Sequence, residues 1–279
     1  MSAQNLASWV DRTGTRDDLV TAAPLAAMSA TLDAAEPFAS NVVPPLWHWC
    51  FFLPVARESE LGPDGHPRRG DFLPPVDLPR RMWAGGRLTF ERLLTVGERV
   101  SRTSRIASVE AKEGRTGPLF FVTVHHDYST DQGPAIHEEH DIVYREMPAP
   151  DAIAPVPPLA PAKEGYAREI VPDPVLLFRY SALTFNGHRI HYDRDYVTQV
   201  EGYPGLVVHG PLVATLLLDL LRRQQPGARV KTFEFRAVSP LFDIHRFRVC
   251  GRDEGDGRHA LWAVNHKGEL AMKATAVVA

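Results

Sequence analysis

Cysteine is scarce. The 279-residue chain has two, Cys50 and Cys250, far apart. They make neither a disulfide framework nor a zinc site, and their apolar surroundings mark them as small core residues. An excess of one charge is also lacking: 31 Lys and Arg stand against 34 Asp and Glu, a formal net charge of −3. That removes the electrostatic case for nucleic acid or an anionic membrane as partner. No apolar run is long enough to cross a bilayer, which takes about 20 residues. The most apolar one, 206–221, is interrupted by His209, Pro211 and Asp219. Residues 1–20 show no basic segment followed by an apolar core, so no signal peptide is expected and the chain is assigned to the cytoplasm. G-x-S-x-G, a glycine-rich phosphate loop and H-E-x-x-H are missing as well. Covalent catalysis therefore has little behind it, and no metal is expected.

Apolar residues make up 44% and charged residues 23%, an ordinary balance for a folded chain. The length suits two domains or one large one. Residues 17–35 read as a helix, started by Asp17 and Asp18 or by Pro24. Residues 42–79 are rich in Pro and Gly around the apolar patch Leu46–Pro54. So long a connection suggests a functional cover. From Arg81 to about Met147 the chain alternates apolar and polar residues in four segments, the period of half-buried antiparallel strands. Residues 147–164 are Pro- and Ala-rich, an extended tether and domain boundary.

The plan then repeats. Residues 176–186 read as a strand, 193–199 as a helical turn, and 211–225 as a helix ended by Pro226-Gly227. Further strands follow over 228–242 and 245–257, with a hairpin over 259–278 turning at Lys267-Gly268. The fold class expected is α+β: two copies of one module, each an antiparallel sheet wrapped around a helix.

Two stretches carry chemistry. His209-Gly210-Pro211 opens the apolar helix, with Gly210 at the cap and Pro211 at the first helical position. The free N–H groups there suit an oxyanion. Asn186, His188, His191 and Asp193 lie within eight residues after a turn at Asn186-Gly187. Of these, His191 is expected to face the site and His188 the solvent; a histidine of ordinary pKa near 6.5 can give and take protons at neutral pH. The spacing of His188, His191 and Asp193 is a poor metal pattern. His125, His126, Asp127, His137, His140 and Asp141 are expected on a solvated sheet face.

Residues 178–193, "FRYSALTFNGHRIHYD", and 203–221, "YPGLVVHGPLVATLLLDLL", resemble the MaoC-like, hydratase-2 group of hotdog-fold acyl-thioester hydratases and dehydratases. Residues 80–114 are similar to the N-terminal half of one branch of that group, the branch of type 2 hydroxyacyl-thioester dehydratases and mesaconyl-C4-CoA hydratases. The resemblance implies a double hotdog, with residues 1–147 as a non-catalytic cover, 148–164 as linker and 165–279 as the catalytic hotdog. It implies an acyl-CoA or acyl-carrier-protein thioester as substrate, water added or removed across the α,β bond, and no cofactor beyond that substrate.

On the family motif, Asn186 falls at an Asp position, His188 at an Asn position and His191 at the His position, while Gly210 matches a backbone donor. Asn cannot serve as a carboxylate base. The proton transfer therefore falls to His191 and the water to Asn186, with Asp193, His188 and His209 in support. Arg81, Arg87, Arg179 and Arg189 are candidates for CoA phosphates or a substrate carboxylate. The leading expectation is a hydratase of a short branched dicarboxylic enoyl-CoA, mesaconyl-C4-CoA giving citramalyl-CoA, with a homodimer as a compatible assembly. Itaconyl-CoA hydratase, a 3-hydroxyacyl-thioester dehydratase and a non-catalytic thioester-binding module are the alternatives.

Overall fold

The computed structural model describes residues 6, 8–34, 41–114, 117–147 and 155–279. Ten strands form one antiparallel sheet. They are β1 (Thr13–Leu19), β2 (Arg80–Phe90), β3 (Arg99–Gly114), β4 (Gly117–Thr130), β5 (Gly133–Arg145), β6 (Tyr166–Ile170), β7 (Val230–Ala237), β8 (Phe247–Gly255), β9 (Arg258–Val264) and β10 (Leu270–Val278). Their order is β1-β3-β4-β5-β2-β7-β10-β9-β8-β6, so five strands of each half lie together and the halves meet where β2 pairs with β7. That seam runs from Gly85↔Arg236 to Thr89↔Thr232. The glycine pair is required there: a Cβ on Gly85 would stand 2.6 Å from the Phe235 carbonyl oxygen, and one on Gly86 2.8 Å from that of Glu139.

Three helices pack on the sheet or against one another: α1 (Ala22–Thr31), α2 (Pro174–Thr184) and α3 (Gly210–Gln224). Ten residues of α3 are buried, from Leu212 through Leu221 without a break. A helix apolar all round is a core helix, and each buried leucine stabilises by roughly 1.5–3 kcal/mol. The charged exception inside it is Asp219. Its carboxylate accepts from Arg168 (3.0 Å), Arg222 (2.6 Å) and Arg223 (2.7 Å). Arg168 and Arg223 also donate to the Leu32 carbonyl just past the end of α1, so the node ties the central helices of the two halves together.

The alternation reading of strands holds for β2–β5 and β7–β10, and the helix over 211–225 starts one residue earlier, with His209 at its cap. Two element readings are corrected. Residues 13–19 are a strand, so the first helix begins at Ala22 and not at Asp17. Residues 176–184 are helical, not extended. Asp173 caps that helix through a 2.8 Å bond from Leu176 N–H, Pro174 sits in its first turn, and its buried residues Leu177, Tyr180 and Ser181 fall three to four apart. Residues 148–154 of the expected linker lie outside the described residues. Further along, Leu270 N–H bonds the Pro158 carbonyl, so that part of the tether lies along the C-terminal hairpin. Cys50 and Cys250 are both buried and free, and burial pushes both thiols up. Among the described residues, no helix is long and apolar enough to cross a membrane.

Candidate active site

The end of α2 delivers the histidine segment. Phe185 takes a left-handed conformation (φ 49°), which turns the chain, and Asn186 N–H closes the turn on the Ser181 carbonyl at 2.8 Å. The Asn186 side-chain oxygen accepts from His188 N–H at 3.1 Å. Its amide N–H groups remain to hold an acceptor. A short turn, Arg189–His191, then carries His191 inward, where it is 7% exposed.

The His191 ring is fixed in one tautomer. Nδ1 lies 2.7 Å from the Val207 carbonyl oxygen. A carbonyl only accepts, so the proton sits on Nδ1 and Nε2 keeps its lone pair. Burial pushes the His191 pKa down to about 4, against the opposing pull of the Val207 carbonyl. At neutral pH His191 is a neutral base. Its ring stacks on His209 at 3.6 Å and 20°. His209 is wholly buried, bonds Ser181 Oγ at 2.8 Å and caps α3, so it sets the floor beneath His191. Burial, then the neighbouring His191 and His188, hold its pKa well below the usual range. The next residue, Gly210, lines the same cleft, and as a first-turn residue its N–H has no partner within the helix.

Asn186, His188, His191 and Gly210 thus share one cleft of about 2580 Å³. Its opposite wall comes from the first half: Trp49, Phe52, Trp83, Tyr128, His140 and Ile142. A Cβ on Gly210 would lie 3.9 Å from the Trp83 carbonyl oxygen, so β2 faces the helix start directly.

Several expected site residues stand elsewhere. Asp193 lies outside the cleft lining, paired with Arg189 at 2.7 Å and accepting from Tyr196 N–H. Arg189 is thereby engaged and also bonds the Pro63 carbonyl. Arg87 is held by Asp141 and Glu139, away from the cleft, and Arg179 is exposed outside it. Arg81 alone of the four lines the cleft, and it has no carboxylate partner among the described residues. His188 is not solvated. It lines the cleft half-buried, with its ring 4.1 Å from His66 and 5.5 Å from His191, and burial followed by those two imidazoles pushes its pKa down to about 2.

The strand histidines divide by the pleat. His125 and His137 lie on one face, beside Asp127 and Glu139. His126 and His140 turn the other way, toward a wholly buried carboxylate that sequence reasoning passed over, Glu138. It accepts from Trp49 Nε1 (2.8 Å) and Tyr128 OH (3.0 Å), and lies 3.1 Å from His48 and 2.5 Å from His140. Burial works to raise the Glu138 pKa, yet the adjoining His140 and His48 hold it well below the carboxylate range. Period-two alternation through "HEEHD" was the signal that could have put Glu138 and His140 on the inner face.

The cover loop supplies two more residues, Asp64 and His66. Asp64 Oδ1 accepts from His66 N–H at 3.1 Å, and Oδ2 lies 3.2 Å from His66 Nδ1. With His188 they form a group whose ligand-type atoms lie within 4.8 Å of one another. Both Asp64 oxygens are already engaged, and the Arg81 charge acts on both imidazoles. In this structure the group is a hydrogen-bonded dyad against a third ring.

Two five-stranded antiparallel halves joined in one sheet, the second wrapped about the buried helix α3, with one composite cleft between them, make the double hotdog of MaoC-like dehydratases. A MaoC-like dehydratase from Phytophthora capsici superposes with a TM-score of 0.71 at 16% identity, covering 100% of this chain and 99% of that one. A Mycobacterium tuberculosis protein described as having a double hotdog fold gives 0.56 at 14% identity, covering 99% and 98%. The family model for hydroxyacyl-thioester dehydratase type 2 matches residues 46–243, and the chain belongs to that family. It is also 48% identical over 278 residues to a mesaconyl-C4-CoA hydratase of Chloroflexus aurantiacus, covering 99% of this chain and 98% of the relative.

Proposed function

We propose that the chain adds water reversibly across the α,β double bond of a short branched dicarboxylic enoyl-CoA, converting mesaconyl-C4-CoA to citramalyl-CoA in the cytoplasm. The observation that carries the reading is His191, fixed by the Val207 carbonyl with its Nε2 lone pair free, in a cleft shared with Gly210. The thioester carbonyl accepts from Gly210 N–H at the positive end of α3. Asn186 donates its amide to a water. His191 Nε2 takes a proton from that water as its oxygen bonds the β carbon, and the π pair moves to the thioester oxygen as an enolate. The enolate then collapses and the α carbon takes a proton, so the net change is one water added. Arg81 supplies the guanidinium for the substrate's second carboxylate. The full-length similarity to a mesaconyl-C4-CoA hydratase supports that choice of acyl group.

The test is a panel of enoyl-CoA esters followed by loss of enoyl absorbance. Mesaconyl-C4-CoA is expected to give the highest kcat/KM. A preference for straight-chain monocarboxylic esters would move the reading to fatty-acyl dehydration. Binding of the esters without turnover would make the chain a thioester-binding module.

A further inference from the structure

The constellation of Asn186, His191 and Gly210 leaves one requirement unfilled. Hydration moves two protons, one off water and one onto the α carbon. His191 answers for the first, and Asn186 has no acid or base function.

Three imidazoles line the cleft beside the reaction centre: His191, His188 and His66. With buried His209 they form a file, the rings 4.1 Å apart from His66 to His188, 5.5 Å to His191 and 3.6 Å to His209. Of these three, among the described residues only His66 has a carboxylate against it; His140, on the opposite wall, has Glu138 at 2.5 Å. His66 Nδ1 faces Asp64 Oδ2, which fixes the Nδ1–H tautomer and leaves Nε2 to work. His191 has a carbonyl in that place.

The loop carrying the dyad is built onto the catalytic segment. Arg189 N–H donates to the Asp64 carbonyl at 2.9 Å, and Arg189 Nη1 to the Pro63 carbonyl at 3.0 Å. Gly65 and Gly187 meet backbone to backbone, so that a Cβ on either would stand 2.0 or 2.7 Å from the other's carbonyl oxygen. A loop that only covered the cleft would not need an approach this close.

We propose that His66, oriented by Asp64, is the second acid/base group of this active site, and that it exchanges the α-carbon proton while His191 exchanges the proton of water. This rests on the hydratase reading above. In hydration, His191 Nε2 takes the water proton as the β C–O bond forms, and the π pair moves to the thioester oxygen. The proton passes across His188 to His66, whose imidazolium pairs with Asp64. His66 gives it to the α carbon as the enolate collapses, and all three rings return to neutral. Dehydration runs the same steps backward. The half of the chain read from sequence as a non-catalytic cover thereby contributes a catalytic residue.

The test compares the full-length wild type with His66→Gln and Asp64→Asn on mesaconyl-C4-CoA, with thermal midpoints measured alongside. His66→Gln is expected to lower kcat by about 10²–10⁴, change KM by less than about threefold, and slow deuterium uptake at the α carbon of the hydroxyacyl ester in D₂O to no more than the residual rate of turnover. Asp64→Asn keeps an oxygen acceptor for His66 N–H, so the loop stays folded. It is expected to move the acid limb of kcat to lower pH, because the charges left facing His66, those of Arg81 and Arg69, disfavour the imidazolium and the neutral His188 ring beside it offers no compensating charge. A merely structural dyad would lower kcat without moving that limb or changing the ratio of α-proton exchange to turnover. Turnover by the wild type together with unchanged kcat and exchange in His66→Gln overturns this inference and leaves the hydratase reading standing. A wild type that hydrates no ester of the panel overturns both.

Discussion

Replacing Gly65 by Ala tests whether the seat of the cover loop on the catalytic segment matters. A Cβ at position 65 would stand 2.0 Å from the Gly187 carbonyl oxygen, 1.4 Å short of the 3.4 Å at which ordinary contact begins. The obstacle is backbone, so no rotamer relieves it and the two loops must part by about that distance. Gly65 also has φ +84°, which a side chain adopts at a cost of about 1–2 kcal/mol. The parting acts where the Asp64 carbonyl accepts from Arg189 N–H and where His66 lies against His188. A misplacement of about 1 Å can cost about 10² in rate. Gly65→Ala should therefore lower kcat about 100-fold. Gly187→Ala, whose Cβ would fall 2.7 Å from the Gly65 carbonyl oxygen, should give a smaller loss. Gly227→Ala is the control: φ is +91° but nothing lies within 4 Å, so it carries the same backbone strain without the collision. Initial rates and thermal midpoints of the three variants decide the matter. If Gly65→Ala has the kcat of Gly227→Ala, the seating of the loop has no part in turnover.

His191 is buried neutral, with its pKa at about 4 against about 6.5 in the unfolded chain. Unfolded chains take up that proton first, so stability should decline as pH falls below about 6.5 and continue to do so down to about 4. His191 accounts for roughly 3 kcal/mol of the loss, and denaturant unfolding at a series of pH values, with His191→Asn for comparison, measures its share. Asp219→Asn should cost about 3–5 kcal/mol, because it leaves Arg168, Arg222 and Arg223 around a neutral group. The folded fraction should keep its kcat, which separates this node from the site. Arg81→Ala should raise KM at least tenfold for a dicarboxylic enoyl-CoA and leave crotonyl-CoA nearly unchanged; equal effects on both esters would remove Arg81 from carboxylate recognition.

Strands β2–β5 and β7–β10 were legible because half-buried strands must alternate, and α3 because an unbroken apolar run after His209-Gly210-Pro211 has few other uses. Residues 176–184 misled because "LLFRYSALT" carries both periods. The deciding signal was the Asp173-Pro174 cap, one turn ahead of the apolar residues. Asn186, His191 and Gly210 were readable because a local motif holds them, and the structure brings all three to one cleft. His66 and Glu138 had no such help. Glu138 follows from alternation once β5 is registered against β4, but its donors His48 and Trp49 come from a loop some ninety residues earlier. Gly65 meets Gly187 across about 120 residues of chain, and no spacing rule in one sequence reports a contact of that range.

The motif-bearing half does not make the site alone. Strand β7 gives one edge to β10 and the other to β2. Phe233 and Phe235 on it are buried, and Phe235 packs against Trp49 and Trp83 of the first half. Cut free, residues 155–279 would keep Asn186, His191 and Gly210. They would lose the wall opposite Gly210, the loop on Arg189, and the partner of strand β7. An unpaired edge of that kind recruits another chain, so the fragment is expected to self-associate through β7 and to hydrate no enoyl-CoA at a measurable rate. Adding residues 1–147 as a separate chain should restore some turnover if the two refold together, since the seam is a strand pairing and not a covalent link. A monomeric, active 155–279 would show that the second half holds the whole catalytic apparatus and that the first half is cover alone.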